Sequence, residues 1–164
     1  MFRDLSDWQR RVLTSERVTE ALEEIFGPGG TILEVLSTHA KTDGTIERVA
    51  RFRVRRSSRV VLVGRSKMFV ESLRGELDVR WESFLADLEA GRSLGSVLAD
   101  VLGGRMRSIE RGLGLVDPCR HERARELAEW FEYGRSPIVE RSRRILADPG
   151  RPLVDLSEYL AIDD

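Results

Sequence analysis

The stretch "RILADPGRPLVDLSEYL", Arg144 to Leu160, reads as the end of one strand, a turn at "ADPG" (147 to 150) and a second strand. Strand side chains alternate in direction, so Val154, Leu156, Glu158 and Leu160 share one face while Leu153, Asp155, Ser157 and Tyr159 share the other. The Glu158 carboxylate therefore points with the more apolar set. Burying an unpaired carboxylate costs several kcal/mol, roughly, so a cation or hydrogen-bond donors are expected to meet it.

Working outward, "SPIVERSRRIL" is the strand that enters this turn, and "RMRSIERGLGLV" is a further strand weakened by its glycines. Earlier in the chain, "TILEVLS" and "TIERVARFRV" form a hairpin across "KTDG" (41 to 44). The polar "RRSS" (55 to 58) then leads to the β-branched "RVVLVGRSKMFV". Helical spacing marks "SDWQRRVLTSERVTEALEEIF", where Val18, Leu22, Ile25 and Phe26 share a stripe, Ser15 is the expected N-cap and "GPGG" is the stop. It also marks "RWESFLADLEAG" and "SLGSVLADVLGG", each ending in glycine. "RHERARELAEWFEYG" fits a helix or a charged loop. The economical architecture is an α+β domain spanning residues 1–164: a single antiparallel sheet of about six strands with helices packed on one face.

The bulk properties narrow the chemistry. At 164 residues and 41% hydrophobic, the chain suits one compact domain. Its 27 basic and 28 acidic residues leave a net charge of −1, which gives no global field for nucleic acid or an anionic membrane. The sole cysteine, Cys119, excludes an internal disulfide, and His39 and His121 lack metal-site spacing, so no metal or other cofactor is expected. No signal peptide opens the sequence and no long apolar run interrupts it, so a cytoplasmic protein is expected. Neither "GPGG" nor "LGG" sits in a phosphate-binding context, and no nucleophile elbow is present.

The strand faces carry the remaining signal. On "ERVARFRVRR", Val49, Arg51, Arg53 and Arg55 point one way and Ala50, Phe52 and Val54 the other, while Arg65 shares a face with Val61 and Val63. Arg51, Arg65 and Glu158 together would make a metal-free pocket in which guanidinium forks bind carboxylates and one carboxylate handles a proton. Structural ion pairs account for the same residues, and on the residues alone they are the favoured account.

Several motifs, "SERVTEALEE", "RFRV" followed by "VLVGRSKM", "SLGSVL" and above all "ERSRRILADPGRPLVDLSEYL", resemble the chorismate pyruvate-lyase family, also called 4-hydroxybenzoate synthase. The likeness runs from about Ser15 to Leu160. It implies an antiparallel sheet with helices on one side and a buried ligand site between them. It also implies cofactor-free elimination of pyruvate from chorismate to give 4-hydroxybenzoate. By the same resemblance Arg51, with Arg53 as its alternative, grips the ring carboxylate, and Glu158 contacts the ring hydroxyl region. Leu94 matches the motif that closes on the carboxylate, Val18 a flap-like segment, and Arg65 a second arginine near the ligand route. The family's usual proline before Leu-Gly is Ser93 here. The same fold serves as the effector-binding domain of GntR-type repressors, so a non-catalytic domain for an aromatic carboxylate is the alternative. No DNA-binding helical segment precedes the similarity in this sequence, which tilts the expectation toward the enzyme. On either reading the partner is a small acid.

Overall fold

The computed structural model describes Arg3, residues 5–132 and residues 137–162. Its centre is one six-stranded antiparallel sheet in the order β1-β2-β3-β6-β5-β4. The strands are β1 (Thr31–Ala40), β2 (Thr45–Val54), β3 (Val60–Phe69), β4 (Met106–Val116), β5 (Ile138–Ala147) and β6 (Arg151–Ala161). All six expected strands are present, and β3 and β6 lie at the middle of the sheet. The helices are α1 (Asp7–Thr14), α2 (Val18–Phe26), α3 (Val70–Leu77), α4 (Trp81–Glu89), α5 (Leu94–Leu102) and α6 (Ala124–Phe131).

Five helices cover one face of the sheet in two groups. At one end, α3, α4 and α5 bury Leu73, Phe84, Val97 and Leu98 on Met68, Ile145 and Val154. At the other end, α1 and α2 bury Val12 and Leu22 on Phe52, Leu62, Val139 and Leu160. Each fully buried side chain of this kind stabilises the fold by about 1.5–3 kcal/mol relative to exposure. The segment 124–131, which sequence spacing left between helix and loop, is helix α6, and it packs on the reverse face. There Leu127, Trp130 and Phe131 lie with Val49, Val63 and Tyr159.

Two departures from the expected elements bear on the site. The stretch 6–26, expected as helix with Ser15 as an N-cap, is two helices separated at 15–17. Ser15 is extended, and its Oγ accepts from the Arg17 N–H at 3.0 Å, a local bond that competes with helix continuation. Ser15 is thus the residue after α1 and not the N-cap of α2. The strand expected to run through Val70 ends at Phe69, where α3 begins. "VESLRGEL" buries only Leu73 and Leu77, two positions that do not make a helical stripe distinct from the preceding strand.

Candidate functional site

A cavity lies between the two helical groups, over the middle of the sheet. Its floor follows from register. Ala50 pairs with Gly64, Gly64 with Glu158, and Glu158 with Arg141, so these residues form one row across β2, β3, β6 and β5. Paired residues in a sheet project to the same side. Ala50 and Gly64 are too short to reach the helices above them, and a Cβ at Gly64 would meet nothing nearer than Leu156 Cδ1 at 4.0 Å. The space left is about 80 Å³, room for several waters or a small ring. Val18, Leu33, Phe52, Leu62, Leu94 and Leu156 supply apolar walls; Arg48, Arg143, Glu158, Ser66 and Ser93 supply polar ones.

Glu158 faces this cavity and is 4% exposed. Its partners are two arginines of β5. Arg141 Nε donates to Oε1 at 2.8 Å, Arg143 Nε donates to Oε1 at 2.7 Å, and Arg143 Nη2 donates to Oε2 at 2.9 Å. The remaining guanidinium edges reach the break between α1 and α2. Arg141 Nη1 donates to the carbonyls of Leu13 and Ser15, and Arg143 Nη1 to the Glu16 carbonyl at 3.1 Å. The interrupted helix thus supplies acceptors that a continuous one would have used internally. Burial lowers the Arg141 pKa while the Glu158 charge pulls the other way. Two guanidinium groups against one carboxylate leave this triad one positive charge over, which the Glu110 carboxylate of β4 answers from the far side.

An unanswered charge sits across the cavity. Arg48, on β2, is 3% exposed and donates through Nη2 to the carbonyls of Arg92 at 2.9 Å and Leu88 at 3.4 Å. Among the described residues no carboxylate pairs with it. Burial lowers its pKa, yet a guanidinium stays charged at neutral pH. Register places Arg48, Ser66, Leu156 and Arg143 in one row. Three strand spacings separate the two arginines, about 14 Å between backbones. Beside Arg48, α5 begins. Ser93 caps it by accepting from the Ser96 N–H at 3.2 Å, and it accepts from the Thr19 hydroxyl at 2.9 Å, which ties α2 to α5. Leu94 and Gly95, in the first turn, line the cavity.

The sequence-derived residues divide by face. Glu158, Leu94 and Val18 line the cavity together. Arg51, Arg53 and Arg65 do not join them, and this corrects the expected pocket of Glu158, Arg51 and Arg65. The row through Arg51 is Val63 and Tyr159, on the reverse face. Arg51 donates to Glu34 at 3.1 Å, to Glu132 at 2.9 Å and to the Trp130 carbonyl at 2.8 Å. Arg53, the alternative, bonds the same Glu34 and Glu132, at 2.8 and 2.9 Å. Arg65 forms a fork with Glu47 at 3.2 and 3.0 Å. Strand parity separates them: the face of β2 that meets the cavity is that of Arg48, Ala50 and Phe52.

Sequence reasoning passed over Arg48, Arg141 and Arg143. The signal for the β5 pair was present in "ERSRR", one strand from Glu158, but a bulge hides it. Ala147 pairs with Arg151 beside the turn, and counting back from there would set Glu140 opposite Glu158. The register shift between Ile145 and Leu146 brings Arg141 opposite instead. Among the described residues no group of His, Cys, Asp and Glu is placed to hold a metal. Cys119 is exposed, and His121 pairs with Glu140 at 3.0 Å on the reverse face. Among the described residues no helix is long and apolar enough to cross a membrane.

No family model and no curated protein matches this sequence. Solved structures do match. The ligand-binding domain of a protein described as a GntR-family transcriptional regulator, from Bordetella bronchiseptica, aligns with a TM-score of 0.59 over 84% of this chain and 86% of that one, at 15% identity. The effector domain of PhnF from Mycobacterium smegmatis gives 0.60 over 87% and 86%, at 12% identity. The longer PhnF chain gives 0.63 and 12%, this chain covering 65% of its length. At these identities the likeness is one of fold: the sheet and its helical cover are those of GntR-type effector domains, a chorismate lyase-like fold.

Proposed function

We propose, from the premise of that shared fold, that this chain is a receptor domain for a small organic acid with an apolar, ring-sized body, and that its task is recognition. One observation carries the reading: Arg48 is buried at the cavity wall with a full charge and no carboxylate partner among the described residues. A cation held this way at one end of an apolar cavity favours an anion beside it. The aliphatic and aromatic walls suit the rest of such a molecule. Glu158 then acts by holding Arg143 at the cavity edge, since three guanidinium N–H groups already occupy its oxygens. The solved domains of similar fold are described as ligand-binding and effector domains, which supports the same reading by analogy.

The direct test is a binding titration with 4-hydroxybenzoate, benzoate and related acids on the unmodified protein and on Arg48→Met. Saturable binding that falls at least about tenfold in the variant is expected, the worth of one charge-assisted contact. Equal affinity in both would remove Arg48 from the site and the reading with it.

A carbon-oxygen lyase acting on chorismate is the second reading. It is favoured by the meeting of Glu158, Leu94 and Val18 in one cavity, three positions that the sequence resemblance attaches to that activity. Incubation with chorismate, followed by chromatography for 4-hydroxybenzoate and pyruvate, separates the two readings. The receptor reading expects neither product at any enzyme concentration.

A further inference from the structure

Behind the Arg143 wall lies a second, larger space of about 470 Å³, between the α1–α2 break and strands β4 and β5. The two spaces share Glu16, Ser108 and Arg143. The shared wall is thin: Arg143 Nη1 donates to the Glu16 carbonyl at 3.1 Å and to Ser108 Oγ at 3.3 Å, and these two bonds span it. The β4 bulge between Glu110 and Gly112 opens the outer space. It keeps Ser108, Glu110 and Leu113 opposite Ile145, Arg143 and Arg141, on the helix-covered face, so all three side chains meet the chamber.

The chemistry of the two spaces differs. In the inner cavity Arg48 has no carboxylate partner among the described residues. Around the outer chamber each charge has an opposite: Arg10, Arg141 and Arg143 stand against Glu16, Glu110 and the Glu158 that Arg141 and Arg143 share, with Thr14, Ser15 and Ser108 hydroxyls beside Leu13 and Leu113. A balanced wall of donors and acceptors favours an uncharged hydrogen-bonding group over an ion. Arg48 marks the far end of the inner cavity, and the row from Arg48 to Arg143 runs straight at the shared wall.

We propose that the ligand is longer than the inner cavity: an acid whose carboxylate lies at Arg48, whose ring lies over Ala50 and Gly64, and whose uncharged amide- or hydroxyl-bearing tail passes between Glu16 and Ser108 into the outer chamber. This rests on the receptor reading above and adds the ligand's length and the polarity of its tail. Passage of the tail replaces the Arg143 bonds to Ser108 and Glu16 by bonds to the tail itself, so the guanidinium keeps its partners.

The experiment compares 4-hydroxybenzoate with 4-acetamidobenzoate and 4-(butanoylamino)benzoate by calorimetric titration. It uses the unmodified protein and two variants that place an indole at residues lining the outer chamber and not the inner cavity, Thr14→Trp on the exposed end of α1 and Leu113→Trp on β4. The para-extended amides should bind about tenfold or more tighter than 4-hydroxybenzoate to the unmodified protein, as burial of a few further carbon atoms predicts. In a folded variant that gain disappears while 4-hydroxybenzoate binds as before. Extended acids that bind no better than the short one overturn the proposal and leave the receptor reading standing. So does a gain that survives both indoles, or an equal loss for short and extended acids. If no acid of any length binds, the receptor reading falls and this proposal with it.

Discussion

Glu158 holds two buried guanidinium groups, and that determines what its loss does. Removing one partner of a buried ion pair costs about 3–5 kcal/mol, because the other charge stays desolvated. Glu158→Ala strands both Arg141 and Arg143, so its unfolding free energy should fall by about that amount, and chemical denaturation measures it. A loss under about 1 kcal/mol would mean that the triad is worth no more than a surface pair. Arg51 behaves differently. Its sequence position suggested a ligand contact, yet its side chain ties Glu34, Glu132 and the end of α6 together on the reverse face. Arg51→Ala should lower stability and leave acid binding in the cavity unchanged; lost binding in a folded Arg51→Ala protein would return that residue to the site. The two arginine sets differ by a single step of strand alternation, which is why a sequence read without register assigns them to the wrong side.

At the scale of elements, the central strand β3 and the helix α6 each carry a prediction. Gly64 leaves the floor of the cavity bare in the middle of β3. Glycine within a strand costs roughly 0.5–1 kcal/mol relative to alanine, and a Cβ here has open space, so Gly64→Ala should hold or raise stability. Gly64→Leu should fill the cavity and abolish ligand binding in a folded protein; binding that persists would place the ligand elsewhere. On the reverse face, the hydrogen bond from Arg53 lowers the Glu132 pKa below the ordinary carboxylate range. For Glu34, burial works to raise the pKa, but the bonds from Arg53 and Arg51 outweigh it and the net shift is downward. A depressed folded-state value means stability that is complete above the unfolded-state pKa and lost as pH falls through the folded one. Melting temperature should therefore fall on acidification below about pH 4.3, where unfolded glutamates begin to take up protons. The fall should be shallower in Glu132→Gln, and equal slopes would contradict the assignment. The strands themselves were legible because their alternation is strong and their turns are marked by "KTDG", "RRSS" and "ADPG". The helix break after Thr14 and the extra residue at Leu153 of β6, which shifts the register against β5, were not legible. Each depends on a tertiary demand, the carbonyls needed by Arg141 and Arg143 and the burial of Leu153 beside Val154 under the helices, that has no periodic signature.

For the molecule as a whole, a net charge of −1 conceals a strongly uneven interior. On the exterior, arginines such as Arg11, Arg17, Arg92 and Arg144 pair with nearby carboxylates, in keeping with a composition near neutrality. Composition could not show that Arg48 and the β5 pair converge under the helices. The face of Glu158 was readable from the sequence, and so was the fold. The cation at the other end of the cavity was not, because Arg48 precedes the "RFRV" motif and looks like any other residue of a charged strand. An anion completes this interior, so ligand binding should stabilise the whole fold. An acid at about 100 times its dissociation constant adds about 2.7 kcal/mol, roughly 5–10 °C in melting temperature for a chain of this size. The measurement that tests this most directly is thermal unfolding of the unmodified protein and of Arg48→Met across a panel of small aromatic carboxylates. The account predicts a saturable upward shift of that size with at least one acid, absent in the variant. A panel in which no acid raises the melting temperature, or in which Arg48→Met responds as the unmodified protein does, would contradict it.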